Sequence, residues 1–321
     1  MPRAVYSVVG VVVALLLLGF GGRMYATRLM SQRALTPKPL GNATPAAVAI
    51  PFVRISVQSG DRTLIGWWVR ARGDSGKPAP ALLFLHGNAS TIADYVTLQR
   101  FFYRQGVSTM VIDYTGFGAS GGSASLARAV EDAGRVASVF ADSAGPARKV
   151  AMGSALGATV LLQAIDSVQP HINGIVIEGV DASVKESAVR AGRLPKFVAP
   201  MVKDIGNNVA AAARVRVPVL ALQSREDSRT PFDDAMRVTG AIPSKSSLVK
   251  HWRKGHASLM ASSKVCDWQP VLAFIKSGAL PVAKVDSTDA CAVAKAAADS
   301  AKAAAAVRAA AQTKTAPRRR K

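Results

Sequence analysis

The feature that most constrains this chain is a rhythm. Short, continuous apolar runs alternate with stretches of helical period from residue 81 to residue 275. The runs are ALLFLH (81–86), STMVIDY (108–114), KVAM (149–152), INGIVIEG (172–179), VPVLALQS (217–224) and SLVKHW (247–252). A strand that is apolar at nearly every position has both faces covered, which is the condition of a parallel sheet flanked by helices. The helical patterns between the runs lie around 91–105 and 124–141, from about 157, from about Pro231, and over DWQPVLAFI (267–275). Such a βαβα series predicts a mostly parallel sheet with helices on both sides. Ahead of it, FVRISV (52–57) and LIGWWVRA (64–71) read as two strands joined by a turn at Gly60-Asp61. With 321 residues, 49% of them hydrophobic, and two cysteines, the chain can bury a core without staples. That excludes a disordered chain and a disulfide scaffold.

In open sheets of this kind, functional groups gather at the carboxyl ends of the strands. Five groups follow the apolar runs there. They are His86-Gly87-Asn88-Ala89, Asp113-Tyr114-Thr115-Gly116-Phe117-Gly118-Ala119-Ser120-Gly121, Gly153-Ser154-Ala155-Leu156-Gly157, Asp227-Ser228-Arg229-Thr230-Pro231 and Gly255-His256-Ala257-Ser258-Leu259. In this order, over about residues 50–278, they resemble the α/β-hydrolase superfamily, in particular its membrane-anchored acyl-hydrolase and serine-aminopeptidase-like branch. The resemblance implies an α/β-hydrolase fold, with a mostly parallel sheet, flanking helices and a small cap formed by 180–214. It also implies the chain order nucleophile, acid, histidine. The matching positions here are Ala155, Asp227 and His256.

The chemistry explains the spacing. A nucleophile on a tight strand-to-helix turn needs small neighbours two residues away on each side, and Gly153 and Gly157 supply them around position 155. The helix that begins there aims backbone N–H groups and a positive dipole end at the site. The N–H groups of Leu156 and Asn88 are the expected oxyanion hole, each donor worth roughly 3 kcal/mol in acyl transfer. His256 is the expected general base, and Asp227 the group that fixes its tautomer and stabilises the imidazolium. The departure is at the crest: position 155 is Ala, where the family has serine. No acyl-enzyme can form on a methyl group.

Other residues compete for these roles. Ser154 is the rival nucleophile, but that register puts Met152 and Leu156 where small residues are needed. Ser120 falls in a glycine-rich loop that the family uses structurally, and His251 is a rival base inside a strand pattern. His86 reads as a packing and hydrogen-bonding residue, His171 as a surface residue, and Asp113 as a tie for its own loop. Trp67 and Trp68 alternate across a strand, so one is expected in the core and the other partly exposed.

The ends differ from the body. Ala4–Gly22 is an uncharged run of 19 residues, long enough as a helix to cross a ~30 Å hydrocarbon layer. The reading is a single-pass N-terminal membrane anchor (1–30), a Pro-containing linker (31–48), an α/β-hydrolase domain (49–278) and an Ala/Lys-rich basic tail (279–321). The formal charge is +21, with net +5 in residues 1–40 and net +6 in 282–321. Basic ends on a mildly basic body suit an anionic membrane surface, and no nucleic-acid motif accompanies the charge. Cys266 and Cys291 either pair or are two separate thiols. The His and Cys residues are too scattered for a metal site, and neither a dinucleotide fingerprint nor a phosphate loop is present, so no cofactor is expected.

The functional expectation is a membrane-located hydrolase-family protein of the carboxylic ester, thioester or acyl type. It would bind a small acyl, lipid or peptide ligand, with turnover lost or weak because of Ala155. Two alternatives stand beside it. One is an active esterase that uses another group. The other is a non-catalytic, membrane-tethered interaction protein.

Overall fold

The computed structural model describes residues 19–28, 35–73, 76–224, 226–251 and 255–281. Among these, residues 19–28 form helix α1. The hairpin follows as β1 (Val53–Ser59) and β2 (Arg62–Val69), and then the alternating series begins. The series runs β3 (Ala81–Leu85), α2 (Val96–Arg104), β4 (Ser108–Ile112), α3 (Leu126–Ala144), β5 (Lys149–Ser154) and α4 (Leu156–Gln163). It continues with α5 (Ile165–Val168), β6 (Ile175–Glu178), α6 (Val184–Arg190), α7 (Asn208–Ala212) and β7 (Val219–Ser224). It ends with α8 (Phe232–Gly240), β8 (Ser246–His251) and α9 (Val265–Ser277).

The eight strands form one sheet in the order β1-β2-β4-β3-β5-β6-β7-β8. β1 pairs antiparallel with β2, and β2 antiparallel with β4; every other neighbouring pair is parallel. The chain starts β3 beside β4, then crosses to β5 and proceeds to β8. The turnaround lies at β3, and the strands that carry the candidate site lie side by side from β5 to β8.

Period-2 alternation divides the core into two layers. Leu82 and Phe84 of β3 join Val111, Met152, Val176 and Leu220 on one face, under Phe101 and Phe102 of α2 and Trp268 and Phe274 of α9. Leu83 and Leu85 join Ile112, Ala151, Ile175 and Ile177 on the other, under α3, α4 and α8. Each fully buried Leu or Phe contributes roughly 1.5–3 kcal/mol relative to exposure, so the continuous apolar runs are what hold both helix layers on the sheet. α3 forms for local reasons as well. Ser125 caps its first turn by accepting from the Arg128 N–H, and Leu126, Ala129, Ala133, Val136, Ala137 and Phe140 make one buried stripe.

Because both faces are covered, both tryptophans are buried, not one. Trp67 packs edge-on against Phe52 on one face and Trp68 against Phe140 on the other. Residues 35–48 lie against the domain. Leu35 is buried, the Thr36 N–H donates to the Asn88 Oδ1 at 2.8 Å, and the Gly118 N–H donates to the Lys38 carbonyl at 2.8 Å.

The membrane anchor read from the sequence is corrected. Residues 4–18 of the apolar run lie outside the described residues, and the described helical residues 19–28 include Arg23 and Arg28. Among the described residues no helix is long and apolar enough to cross a membrane. The transmembrane helix, the membrane location and the membrane-surface partner are therefore withdrawn, and with them the membrane-anchored branch of the family. Cys266, in the first turn of α9, is disulfide-bonded, and Cys291 lies outside the described residues, as does the basic tail from 282 onward.

Candidate active site

The site is built from four adjacent strand ends. Ala155 follows β5, Glu178 closes β6, Asp227 follows β7 and His256 follows β8. Neighbouring strands lie about 4.8 Å apart, so a topology that places β5 to β8 in order draws these residues into one row.

The elbow at 155 has the strained geometry that a nucleophile turn requires. Ala155 holds φ +52°, ψ −112°, in a region that non-glycine residues rarely adopt and that costs of order 1–3 kcal/mol. It stands at the N-terminus of α4, and its N–H donates to the Glu178 carbonyl at 2.9 Å. The two elbow glycines are there for close approach. A Cβ on Gly153 would overlap the Gly157 carbonyl, and a Cβ on Gly157 would overlap the Leu85 carbonyl. The turn is thus wedged between its own helix and the end of β3. What stands on it is a methyl group.

Asp227 and His256 meet. His256 Nδ1 lies 2.9 Å from Asp227 Oδ2, and the carboxylate also accepts from the Thr230 hydroxyl (2.6 Å) and the Arg229 and Thr230 N–H groups (both 2.9 Å). Burial pushes the Asp227 carboxyl up. The hydrogen bonds from His256 and Thr230 outweigh burial and hold it at about 2. An ionised Asp227 fixes the proton on Nδ1, which leaves Nε2 as the unprotonated nitrogen. Gly179 lies beside the ring: a Cβ there would stand 3.5 Å from His256 Cε1.

The other predicted residues find clear places. Asn88 is held by its own side chain, whose Oδ1 accepts from the N–H groups of Thr36 and Ala89 (2.8 and 3.1 Å). The preceding Gly87 N–H donates to the Tyr95 hydroxyl at 3.2 Å, which pins the loop that carries the expected oxyanion donor. Leu156 opens α4 directly after the crest. The hydroxyl of the rival nucleophile, Ser154, is buried and donates to Glu178 Oε2 at 3.1 Å. Ser120 donates to the Asp113 carbonyl and accepts from the Ile65 N–H, a structural tie. Asp113 reaches beyond its own loop and accepts from the Ile92 N–H at 2.9 Å. His86 is buried among Tyr95, Tyr114 and Phe117, with Nδ1 2.8 Å from the Gly87 carbonyl. His251 ends β8, and His171 lies in a short 3-10 turn at the opposite end of the sheet from the site.

The segment 180–214, the expected cap, contributes α6 and α7. Arg190 at the end of α6 reaches Asp181 (3.0 Å), Asp234 (2.9 Å) and the Arg229 carbonyl (3.2 Å), so it ties α6 to the loop that carries Asp227. Burial raises Asp181 to about 6 against the pull of Ser187 and Arg190. Two residues went unread in the sequence: Thr230, which shares the Asp227 carboxylate with His256, and Glu178. The signal for Glu178 was present, since it is a charged residue closing an otherwise apolar strand, IVIE.

This geometry defines the class: the chain has the α/β-hydrolase fold, with a mixed sheet flanked by helices. Comparison with known proteins agrees. Residues 76–209 match the family model "Serine aminopeptidase, S33", and residues 201–290 match "TAP-like protein". The chain is 24% identical over 146 residues to Protein bem46 of Schizosaccharomyces pombe, a match that covers 44% of this chain and 49% of that protein. The match thus spans about half the length of that curated relative. Among solved structures it is similar to the Pyrococcus furiosus esterase Pf2001 (TM-score 0.58, 18% identity, 75% of this chain and 98% of that one). It is also similar to Est1E from Butyrivibrio proteoclasticus, solved with ferulic acid bound (TM-score 0.52, 15% identity, 63% and 91%). These likenesses place the fold among those of hydrolases and esterases.

Proposed function

We propose that this chain is a carboxylic ester or acyl hydrolase in which water, activated by His256, takes the place of a side-chain nucleophile. The observation that carries the reading is the hydrogen-bonded Asp227–His256 pair, 2.9 Å apart, in the same row of strand ends as a strained elbow crest with no hydroxyl. In the step proposed, a water seated over the Ala155 methyl attacks the ester carbonyl carbon and gives its proton to His256 Nε2. The N–H groups of Leu156 and Asn88 receive the oxyanion. When the intermediate collapses, the C–O bond to the leaving group breaks and the alkoxide takes the proton back from Nε2. Acid and alcohol leave, and no covalent enzyme intermediate forms. A site that lacks its nucleophile but keeps the hole and binding retains about 10³–10⁴-fold over water, which sets the expected scale. This reading replaces the membrane-anchored, turnover-deficient one. A small acyl or ester ligand fits it, and the fold similarity to esterases supports that class.

The test is turnover of p-nitrophenyl acetate and butyrate by the chain of native sequence. Hydrolysis is expected without a burst, without labelling by a fluorophosphonate, and with loss of at least about tenfold in His256→Ala. Turnover that survives in His256→Ala, or covalent labelling of the native chain, would sink the reading.

A further inference from the structure

We propose that Glu178 is a positioning residue whose side chain spans the elbow and the histidine loop and so fixes the distance between the crest at 155 and His256. The inference rests on the hydrolase reading above, because it concerns the same site.

Three bonds from this one residue carry it. The backbone carbonyl of Glu178 accepts from the Ala155 N–H at 2.9 Å, directly under the crest. Oε2 accepts from the Ser154 hydroxyl at 3.1 Å, one residue before the crest. Oε1 accepts from the Leu259 N–H at 2.9 Å, three residues beyond His256. The side chain is fully buried, so these bonds are formed away from competing water and each is costly to lose. The next residue, Gly179, is the backbone that His256 Cε1 approaches. β5 meets β6 through the ladder, with Ser154 opposite Glu178, but the loop from 255 to 261 leaves the sheet after β8. Through this carboxylate the histidine loop is joined to the elbow across two intervening strand positions. Asp227 sets the tautomer of His256, and Glu178 sets the distance of its loop from the crest.

The role assigned is one of reach, and it can be separated from charge. Gln keeps the length: its carbonyl oxygen can accept from Leu259, and its amide can donate to the Ser154 oxygen, which accepts as readily as it donates. Asp keeps the charge but is one methylene too short to bond both partners. Glu178→Gln should therefore hydrolyse p-nitrophenyl butyrate within about threefold of the parent. Glu178→Asp should lose about tenfold to hundredfold in kcat, with KM within about twofold, the size of effect that a small misplacement of a catalytic group produces. A second readout needs no turnover. The Nδ1 proton shared by His256 and Asp227 should give a downfield proton resonance in the full chain, kept in Glu178→Gln and shifted or broadened in Glu178→Asp. If the native chain proves inactive, the hydrolase reading fails while the resonance still tests the positioning. The pattern reversed, with Gln impaired and Asp retained, would assign Glu178 a role through its charge and overturn the proposal. Two variants equal to the parent in both readouts would overturn it too.

Discussion

At the scale of single residues, the question is what one oxygen atom is worth at position 155. The backbone there already holds φ +52°, so the strain that an elbow costs is present without the group it serves. Ala155→Ser adds an oxygen to an existing Cβ and requires no new backbone conformation. Its stability should stay within about 1 kcal/mol of the parent, since no mechanism of large destabilisation is engaged. Its ester hydrolysis should rise at least about 10²-fold, set against the ~10⁶-fold that removing a serine costs a fully tuned triad. It should also acquire a burst phase and fluorophosphonate labelling, because the added hydroxyl opens the covalent route. A folded Ala155→Ser variant that is no faster than the parent would show that the hole or the base is not arranged for acyl transfer, whatever the Asp227–His256 bond suggests.

At the scale of elements, the site depends on how tightly α4 is driven against the end of β3. Gly157 lies in the first turn of α4, and a methyl group there would overlap both the Leu85 and His86 carbonyls. Those are backbone atoms at the end of β3, an interior strand of the sheet, rather than the tip of a flexible side chain. Gly157→Ala should therefore cost more than about 3 kcal/mol in urea unfolding, even though Ala is the better helix former by about 1 kcal/mol. A loss below about 1 kcal/mol would mean that α4 can slide outward and that the elbow is less wedged than its contacts imply. Elements of this kind were legible in the sequence because their signals are local. Continuous apolar runs give β3 to β7, the 3.6-residue stripe gives α3, and glycines two residues either side of a crest give the turn. The burial of both Trp67 and Trp68 was not legible. Alternation tells only which side each ring leaves the strand, and whether that side is covered depends on Phe52 and Phe140, which pack there from other parts of the chain. The apolar N-terminal run shows the limit from the other side. Hydropathy marks a segment that could span a bilayer, whereas among the described residues no helix is long and apolar enough to do so.

At the scale of the whole molecule, the acids of the site couple stability to pH with opposite signs, and this could not be read from sequence because the balance of burial against tertiary hydrogen bonds decides it. Asp227 lies at about 2 in the fold against an ordinary 3.8, so its contribution is complete above about pH 4 and is lost as pH falls toward 2. Glu178 is the reverse. Burial raises it from 4.5 to about 7, against the pull of the Leu259 N–H, the Ser154 hydroxyl and His256. Between those values the folded chain holds a proton that the unfolded chain has released, so stability falls as pH rises from about 4.5 to 7 and levels off above. Asp181, raised to about 6, acts in the same direction over a lower window. The total charge of +21 adds its own repulsion, which grows as carboxylates protonate and hides the trend in a single melting curve. A difference between two chains removes that background. Glu178→Gln carries an uncharged group of the same shape and cannot titrate. The unfolding free energy of the parent minus that of Glu178→Gln should therefore decline by about 3 kcal/mol between about pH 4.5 and 7.5, because each tenfold difference in proton affinity between the folded and unfolded chain is worth about 1.36 kcal/mol. Urea titrations at closely spaced pH values measure it. A flat difference would mean that Glu178 is ionised throughout, with its charge balanced inside the fold, and a rising one would mean that its carboxylate is stabilised by folding.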